Sequence, residues 1–203
     1  MALKIGVLGG TFSPVHLGHL LLAQEAMEKA KLSKVIFIPC GNPPHKDAET
    51  VIDARLRFEM VRRAIDKNPD FEISDIEINS DGPSYTAKTL EKLREIYKSD
   101  ELFFIVGADS LCNIEKWYHP ERIFENAEII AAYRGGEDLA GFYNAVEHCK
   151  SKYNAKILAV EMTVNMSSSD IRERVKNGMS VRYMLSPEVI EYIEENGIYK
   201  EQK

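Results

Sequence analysis

The chain is expected to be an α/β protein whose sheet is doubly wound and mostly parallel, with helices on both faces. Three observations predict this. Apolar runs of five or six residues recur along the sequence, too short for helices and bounded by turn residues, as buried strands are. Segments between them repeat their apolar residues every three or four positions, the spacing of an amphipathic helix. Strand and helix patterns alternate from one end to the other, which implies parallel strands joined by crossover helices.

The first run, Leu3 to Leu8, closes on Gly9-Gly10 and reads as a strand ending in a tight turn. From Leu17 the pattern is helical, with Leu20, Ala23, Met27 and Ala30 on one face. Val35 to Pro39 is a second strand, followed by a polar loop from Gly41 to Thr50 and a helix with Phe58, Val61 and Ile65 in phase. Phe71 to Ile78 alternates by two, as an exposed edge strand would, and Ser84 is expected to cap the next helix, with Leu90, Leu93 and Tyr97 inward. Leu102 to Val106 is the strongest buried strand. Glu128 to Tyr133 is the next, and Leu139, Phe142, Val146, Cys149 and Tyr153 mark the helix after it. Ala155 to Val160 is the last strand, with one helix opening near Ser168 and another capped at Ser186-Pro187. The 203 residues suit one domain spanning 1–203, the helices from about 167 onward packing on the same core.

Composition narrows the function classes. Twenty-six Lys and Arg against 32 Asp and Glu give a formal charge of −6, which argues against broad binding to nucleic acid or an anionic membrane. The three cysteines, Cys40, Cys112 and Cys149, are scattered and form no Cys-x-x-Cys pair, so buried thiols in a reducing cytoplasm are expected. No charged leader precedes an apolar stretch, and no apolar segment nears membrane-spanning length. Oligomeric state is not readable, and a homo-oligomer is compatible with the pattern.

In a parallel sheet the ligand sits beyond the carboxyl ends of the strands. The chemically interesting residues fall in those loops. His16 and His19 lie three apart on the first turn of a helix, behind Gly9-Gly-Thr11, where free amides and the helix dipole suit phosphate. A P-loop is excluded because no Gly-Lys-Ser/Thr follows, and the spacing Gly6-x-x-Gly9-Gly10 fails the dinucleotide fingerprint. Asn42-Pro-Pro-His45-Lys46 offers an imidazole and an ammonium, although alone it would read as a solvated loop. Gly82-Pro-Ser84-Tyr85-Thr86 turns into a helix whose amides and hydroxyls can hold a ligand. Gly107 allows close approach, and Asp109 is either an N-cap or an acceptor for hydroxyls or magnesium. Trp117, the single tryptophan, is either core or a stacking surface. Ser167-Ser168-Ser169-Asp170-Ile-Arg172 gathers hydroxyls, amides and a guanidinium suited to triphosphate oxygens, and Arg134 adds a second cation.

These motifs in this order, from Gly9-Gly-Thr-Phe-Ser-Pro-Val-His-Leu-Gly-His19 through Pro43-Pro-His-Lys46, Ser84-Tyr-Thr86, Gly107-Ala-Asp109 and Trp117 to Ser167-Ser-Ser-Asp-Ile-Arg172, resemble bacterial nicotinate mononucleotide adenylyltransferases of the nucleotidylyltransferase superfamily. The ending Tyr183 to Tyr199 is similar as well. Two positions depart from the pattern: Ser13 stands where the family usually has Asp, and Met166-Ser-Ser-Ser169 where it usually has Ile-Ser-Ser-Thr. The resemblance implies a Rossmann-like fold and adenylyl transfer from ATP to nicotinate mononucleotide, giving deamido-NAD and pyrophosphate. Magnesium would arrive with ATP, and no organic cofactor is implied. It assigns His16, His19, His45, Asp109 and Arg172 to catalysis. Gly9, Gly10, Thr11, His16, His19, Gly107, Asp109, Arg134, Ser168, Ser169 and Arg172 would hold ATP. Phe12, Gly41, His45, Lys46, Ser84, Tyr85, Thr86 and Trp117 would hold the mononucleotide, and no protein metal site is implied. The alternatives are transfer to nicotinamide mononucleotide or another phosphate ester, a non-catalytic nucleotide sensor, and a metal-dependent hydrolase using His16, His19 and Asp109.

Overall fold

The computed structural model describes residues 2–43, 51–134, 138–163 and 166–200. His45 and Lys46 lie outside those residues, as does Asn165 ahead of the serine run. Six strands form one sheet: β1 (Lys4–Gly10), β2 (Lys34–Pro39), β3 (Phe71–Ile73), β4 (Glu101–Gly107), β5 (Glu128–Arg134) and β6 (Ile157–Met162). Their order is β3-β2-β1-β4-β5-β6 and every pairing is parallel. This is the doubly wound, Rossmann-like arrangement, with the strand order reversing between β1 and β4. All carboxyl ends therefore face one side, and a crevice opens where the chain leaves β1 and β4 in opposite directions.

Both faces of the sheet are apolar because helices cover both. On one face Val35, Phe37, Phe103, Ile105 and Ile130 pack with α1 (Leu17–Ala30), α2 (Ala54–Ile65), α7 (Ser168–Lys176) and α8 (Pro187–Glu195), through residues such as Ala23, Met60, Ile171 and Val189. On the other, Ile5, Val7, Ile36, Phe104 and Ile129 pack with α3 (Thr86–Ile96), α4 (Ala108–Cys112), α5 (Pro120–Asn126) and α6 (Leu139–Tyr153). Leu102 to Val106 are all buried, and each such side chain stabilises the fold by roughly 1.5–3 kcal/mol. The C-terminal helices are part of this core, since Val181, Leu185, Val189, Ile193 and Ile198 belong to the cluster under α1 and α2. Among the described residues no helix is long and apolar enough to cross a membrane.

Local chemistry sets the helix ends. Asp53, Asp138 and Ser167 accept from the first-turn amides of Arg55, Gly141 and Ser169, satisfying donors that the helix itself leaves free. Lys31 and Asn154 close α1 and α6 in the left-handed conformation.

Three expectations change. Phe71 to Ile78 is not one strand: pairing stops at Ile73, and the chain turns through an Asn79 N–H bond to the Asp75 carbonyl. Ser84 does not cap α3, whose N-cap is Tyr85; the Ser84 hydroxyl accepts instead from the Gly41 and Asn42 amides, across to the β2 loop. Of the thiols, Cys149 is buried, Cys40 half-buried and Cys112 exposed, so burial does not extend to all three.

Candidate active site

Two cavities open at the carboxyl edge, one on each side of the β1–β4 boundary. The first, about 300 Å³, is lined from the ends of β1, β4, β5 and β6 by His16, His19, Gly107, Asp109, Arg134 and Ser168 among others. The second, about 360 Å³, lies between the loops after β1, β2 and β4 and is lined by Gly9, Gly10, Thr11, Ser84, Tyr85, Thr86, Trp117 and Tyr118, with Cys40 and Glu77 at its wall. Ser110 borders both. Two ligands bound there would lie side by side, adjoining at Ser110.

The histidine pair is built by the helix start. His16 is the N-cap of α1 in extended conformation, and His19 follows at the third helical position. Their rings stack at 3.7 Å, and Phe12 meets His19 edge-on at 5.0 Å. The His16 backbone N–H donates to His19 Nδ1 at 3.2 Å, so that nitrogen carries no proton. A neutral His19 must then carry its proton on Nε2, a single donor. Neutrality follows from the surroundings. Burial, then the charges of His16 and Arg134, hold the His19 pKa well below its ordinary value. Burial, then Arg134, lowers His16 from 6.5 to about 4. Among the described residues His16 Nδ1 is buried without a hydrogen-bond partner, and Gly18 keeps the space beside it open: a Cβ there would lie 3.0 Å from that nitrogen. The site thus offers imidazole donors in a positive environment, an arrangement that takes up anions.

The serine run converges on the same loop from the far end of the sequence. Ser168 Oγ donates to the Pro14 carbonyl at 2.9 Å, and Arg172 Nη1 donates to the Ser13 carbonyl at 2.8 Å. Arg172 also donates to Ser169 Oγ at 3.3 Å. Ser13 Oγ and the Tyr199 hydroxyl are hydrogen-bonded at 3.0 Å, joining the C-terminal segment to the signature loop. Burial pushes the Tyr199 phenol up to about 12, so it stays protonated.

Compared with the sequence reading, His16, His19, Gly107, Asp109, Arg134 and Ser168 come together in the first cavity, and Ser84, Tyr85, Thr86 and Trp117 in the second. Gly9, Gly10 and Thr11 border the second cavity rather than the first. Phe12 is buried against Phe37 and His19, so only its backbone can reach a ligand. Asp109 is exposed in the first turn of α4, whose N-cap is Gly107. Trp117 is half-buried, edge-on to Phe104 at 6.3 Å. Gly41 sits behind the second cavity, and Ser169 and Arg172 brace the β1 loop from outside the first. Among the described residues no three His, Cys, Asp or Glu side chains gather at metal-binding spacing.

Sequence reasoning missed Glu77 and Arg57. Glu77 was read into a strand, yet the turn after Ile73 brings it inward, where it accepts from Thr89 Oγ1 at 2.7 Å. Burial raises its pKa, countered by bonds from Thr89, Ser84, Cys40 and the Gly41 amide. The Cys40 thiol beside it is pushed by burial to about 11 and is a neutral donor. Arg57 shares the buried stripe of α2 with Met60 and Val61, and an arginine at a core position was the available signal.

A family model described as cytidylyltransferase-like matches residues 7–174, which places this α/β chain in a nucleotide-transferring class. The chain is 46% identical over 198 residues to a probable nicotinate-nucleotide adenylyltransferase of Carboxydothermus hydrogenoformans, covering 97% of this chain and 98% of that protein. A protein of the same name from Caldicellulosiruptor bescii is 42% identical, covering 98% and 100%. The chain belongs to the nicotinate-nucleotide adenylyltransferase family within the cytidylyltransferase-like proteins. A Plasmodium falciparum nicotinic acid mononucleotide adenylyltransferase solved with NaAD shares the fold at a TM-score of 0.79 and 17% identity, over 97% of both chains.

Proposed function

We propose that the chain catalyses adenylyl transfer from ATP to nicotinate mononucleotide, releasing pyrophosphate and forming deamido-NAD. The observation that carries this reading is the pair of adjoining cavities that share Ser110, one lined by His16 and His19 and the other by Gly9, Gly10 and Thr11. Each is of a size suited to one nucleotide. The full-length likeness to named adenylyltransferases supports it independently.

A mononucleotide phosphate oxygen attacks the α-phosphorus of ATP, the bond from that phosphorus to the bridging β-oxygen breaks, and pyrophosphate leaves with the electron pair. The attacking phosphate is already anionic, so no protein nucleophile or base is required; alignment and neutralisation of charge are. His19 Nε2–H donates to an α-phosphate oxygen, and its bond grows stronger as charge accumulates there. His16 and Arg134 face the same triphosphate, and the amides and hydroxyls opening α7, with Arg172, receive the leaving pyrophosphate. Gly107 lets the adenosine approach β4, and Asp109 accepts from its hydroxyls. In the second cavity Trp117 stacks on the pyridine ring. The amino end of α3 at Tyr85 and Thr86 attracts its carboxylate. His45 and Lys46 are assigned to the mononucleotide phosphate on motif position. Magnesium would be carried in with ATP and would supply neutralisation of phosphate charge, with no dedicated protein ligands called for. We read the chain as one such domain acting in the cytoplasm.

The test is incubation with ATP and magnesium plus either nicotinate or nicotinamide mononucleotide, with the product identified by mass. Deamido-NAD and stoichiometric pyrophosphate, formed only when both substrates are present, are expected. Faster turnover of the amide would transfer the reading to the amidated substrate. Pyrophosphate or phosphate released from ATP alone would replace transfer by hydrolysis.

A further inference from the structure

Arg57 is only 1% exposed. It lies within α2 rather than at a cavity wall. Its guanidinium donates to three backbone carbonyls from three separate segments: Nη1 to Thr11 at 2.7 Å, Nε to Ile52 at 3.0 Å and Nη2 to Gly41 at 3.3 Å. Among the described residues it forms no ion pair with a carboxylate. Its fork is thus spent on holding backbone, and two of the three carbonyls belong to the loops after β1 and β2, which flank the second cavity.

Fixing those carbonyls fixes more than position. In a trans peptide the C=O and the following N–H point in opposite directions. The single cis bond among the described residues is Ser13–Pro14, so the Thr11–Phe12 and Gly41–Asn42 peptides are trans. With the Thr11 carbonyl turned onto Arg57, the Phe12 N–H points the opposite way, in a loop whose Thr11 lines the second cavity. With the Gly41 carbonyl held by the same group, the Asn42 N–H is presented to Ser84 Oγ at 3.1 Å, which also accepts from the Gly41 N–H at 3.2 Å. No side chain fits at Gly41, since a Cβ there would lie 2.3 Å from the Glu77 carbonyl oxygen, so the β2 loop passes close against the turn that carries Glu77.

We propose that Arg57 is a positioning residue that ties the β1 loop to the β2 loop and, by gripping the Thr11 carbonyl, aims the Phe12 N–H at the anionic end of the bound mononucleotide. The inference rests on reading the second cavity as the mononucleotide site. Lysine cannot replace it: an ammonium is a point donor, whereas the three carbonyls need a planar fork with donors on three nitrogens. The guanidinium, hydrogen-bonded to carbonyls and with the Asp53 and Glu77 carboxylates near enough to act on it, also adds positive charge behind the second cavity.

Arg57→Met and Arg57→Lys test the proposal. Amide hydrogen exchange on peptides covering Gly9 to His16 and Pro39 to Asn42 reads the loops directly, with the β4 peptide as a control for folding. Steady-state kinetics read the consequence. Arg57→Met should speed exchange in both loops and leave β4 unchanged. It should raise KM for the mononucleotide and lower kcat/KM on the order of tenfold to a hundredfold, the effect of slight misplacement. Arg57→Lys, which keeps the charge, should recover stability but not the loops or the kinetics. Wild-type exchange in both loops of folded Arg57→Met overturns the proposal, as does full kinetic rescue by lysine. If Arg57→Met does not fold, Arg57→Lys alone decides on the same two readouts. A wild-type protein that makes no dinucleotide counts against the activity, and the exchange measurements then still decide whether Arg57 holds the two loops.

Discussion

Acidification of the ligand-free protein tests the histidine site most directly. His16 has a folded pKa of about 4 against an ordinary value of 6.5, lowered chiefly by burial and then by Arg134. Between those values the unfolded chain holds a proton that the folded chain refuses, so stability falls as pH drops from 6.5 toward 4 and levels off below. Taking the protein from pH 7 to pH 5 should cost about 2 kcal/mol from His16 alone, at 1.36 kcal/mol per pKa unit. For a chain of this length that is a fall of roughly 4–8 °C in melting temperature. His19 acts in the same direction, its pKa lowered by burial, His16 and Arg134. Glu77 opposes it: its raised pKa makes the folded state the better proton acceptor above the ordinary carboxylate range. Glu59 and Glu115, each lowered to about 2 by hydrogen-bonded cations, act at lower pH. The assay is therefore a difference: melting temperature of wild type and His16→Gln, measured from pH 7 to pH 5 without nucleotide. The variant should lose distinctly less stability over that interval. Equal losses in both proteins would refute the claim that this imidazole is folded in neutral form beside Arg134.

Three further outcomes are expected. His19→Ala removes one donor from the reacting phosphate and should lower kcat by about a hundredfold to a thousandfold, with a small change in melting temperature; an unimpaired kcat would remove His19 from the mechanism. Gly18→Ala adds a Cβ 3.0 Å from His16 Nδ1 and 3.3 Å from Met166 Cβ, so it should lower activity by displacing the imidazole, while the crowding offsets the gain of up to about 1 kcal/mol that a helix takes from alanine and leaves the melting temperature little changed; kinetics alongside thermal unfolding separate the two effects. Tyr199→Phe deletes the 3.0 Å bond to Ser13 and should cost about 1 kcal/mol in denaturant unfolding, with a measurable rise in KM for ATP through the loop that Ser13 shares with Arg172; no change in either would make the C-terminal contact irrelevant to the site.

How much was legible depended on whether the signal was local. The buried strands were readable because a doubly covered parallel strand must be apolar at consecutive positions, as Leu102 to Val106 are. The loops that carry chemistry were readable because parallel strands place all their carboxyl ends together, so motifs far apart in the chain were expected to meet. His16 and Ser168 meet in one cavity, as that rule requires. Phe71 to Ile78 misled because alternation by two describes either an edge strand or a short strand followed by a turn. Only the neighbouring β2, which offers partners as far as Phe37, set where pairing stops.

The sequence by itself determined the strand-helix alternation, the two sides of the sheet and the imidazole pair on one helical turn, since each depends on residues within a few positions of one another. Tertiary structure alone decided which hydrogen bonds the polar side chains spend on the protein and which they leave for ligands. Ser84 looked like a cap, and no local pattern named the backbone partners of Arg57 or the loop contact that Arg172 makes beside its proposed phosphate role. The structure turns Arg57 onto the Thr11 and Gly41 carbonyls, Ser84 onto the Gly41 and Asn42 amides and Arg172 onto the Ser13 carbonyl. The physical reason is that a buried carbonyl or amide must find a partner, and which side chain supplies it depends on distances that only the folded sheet fixes.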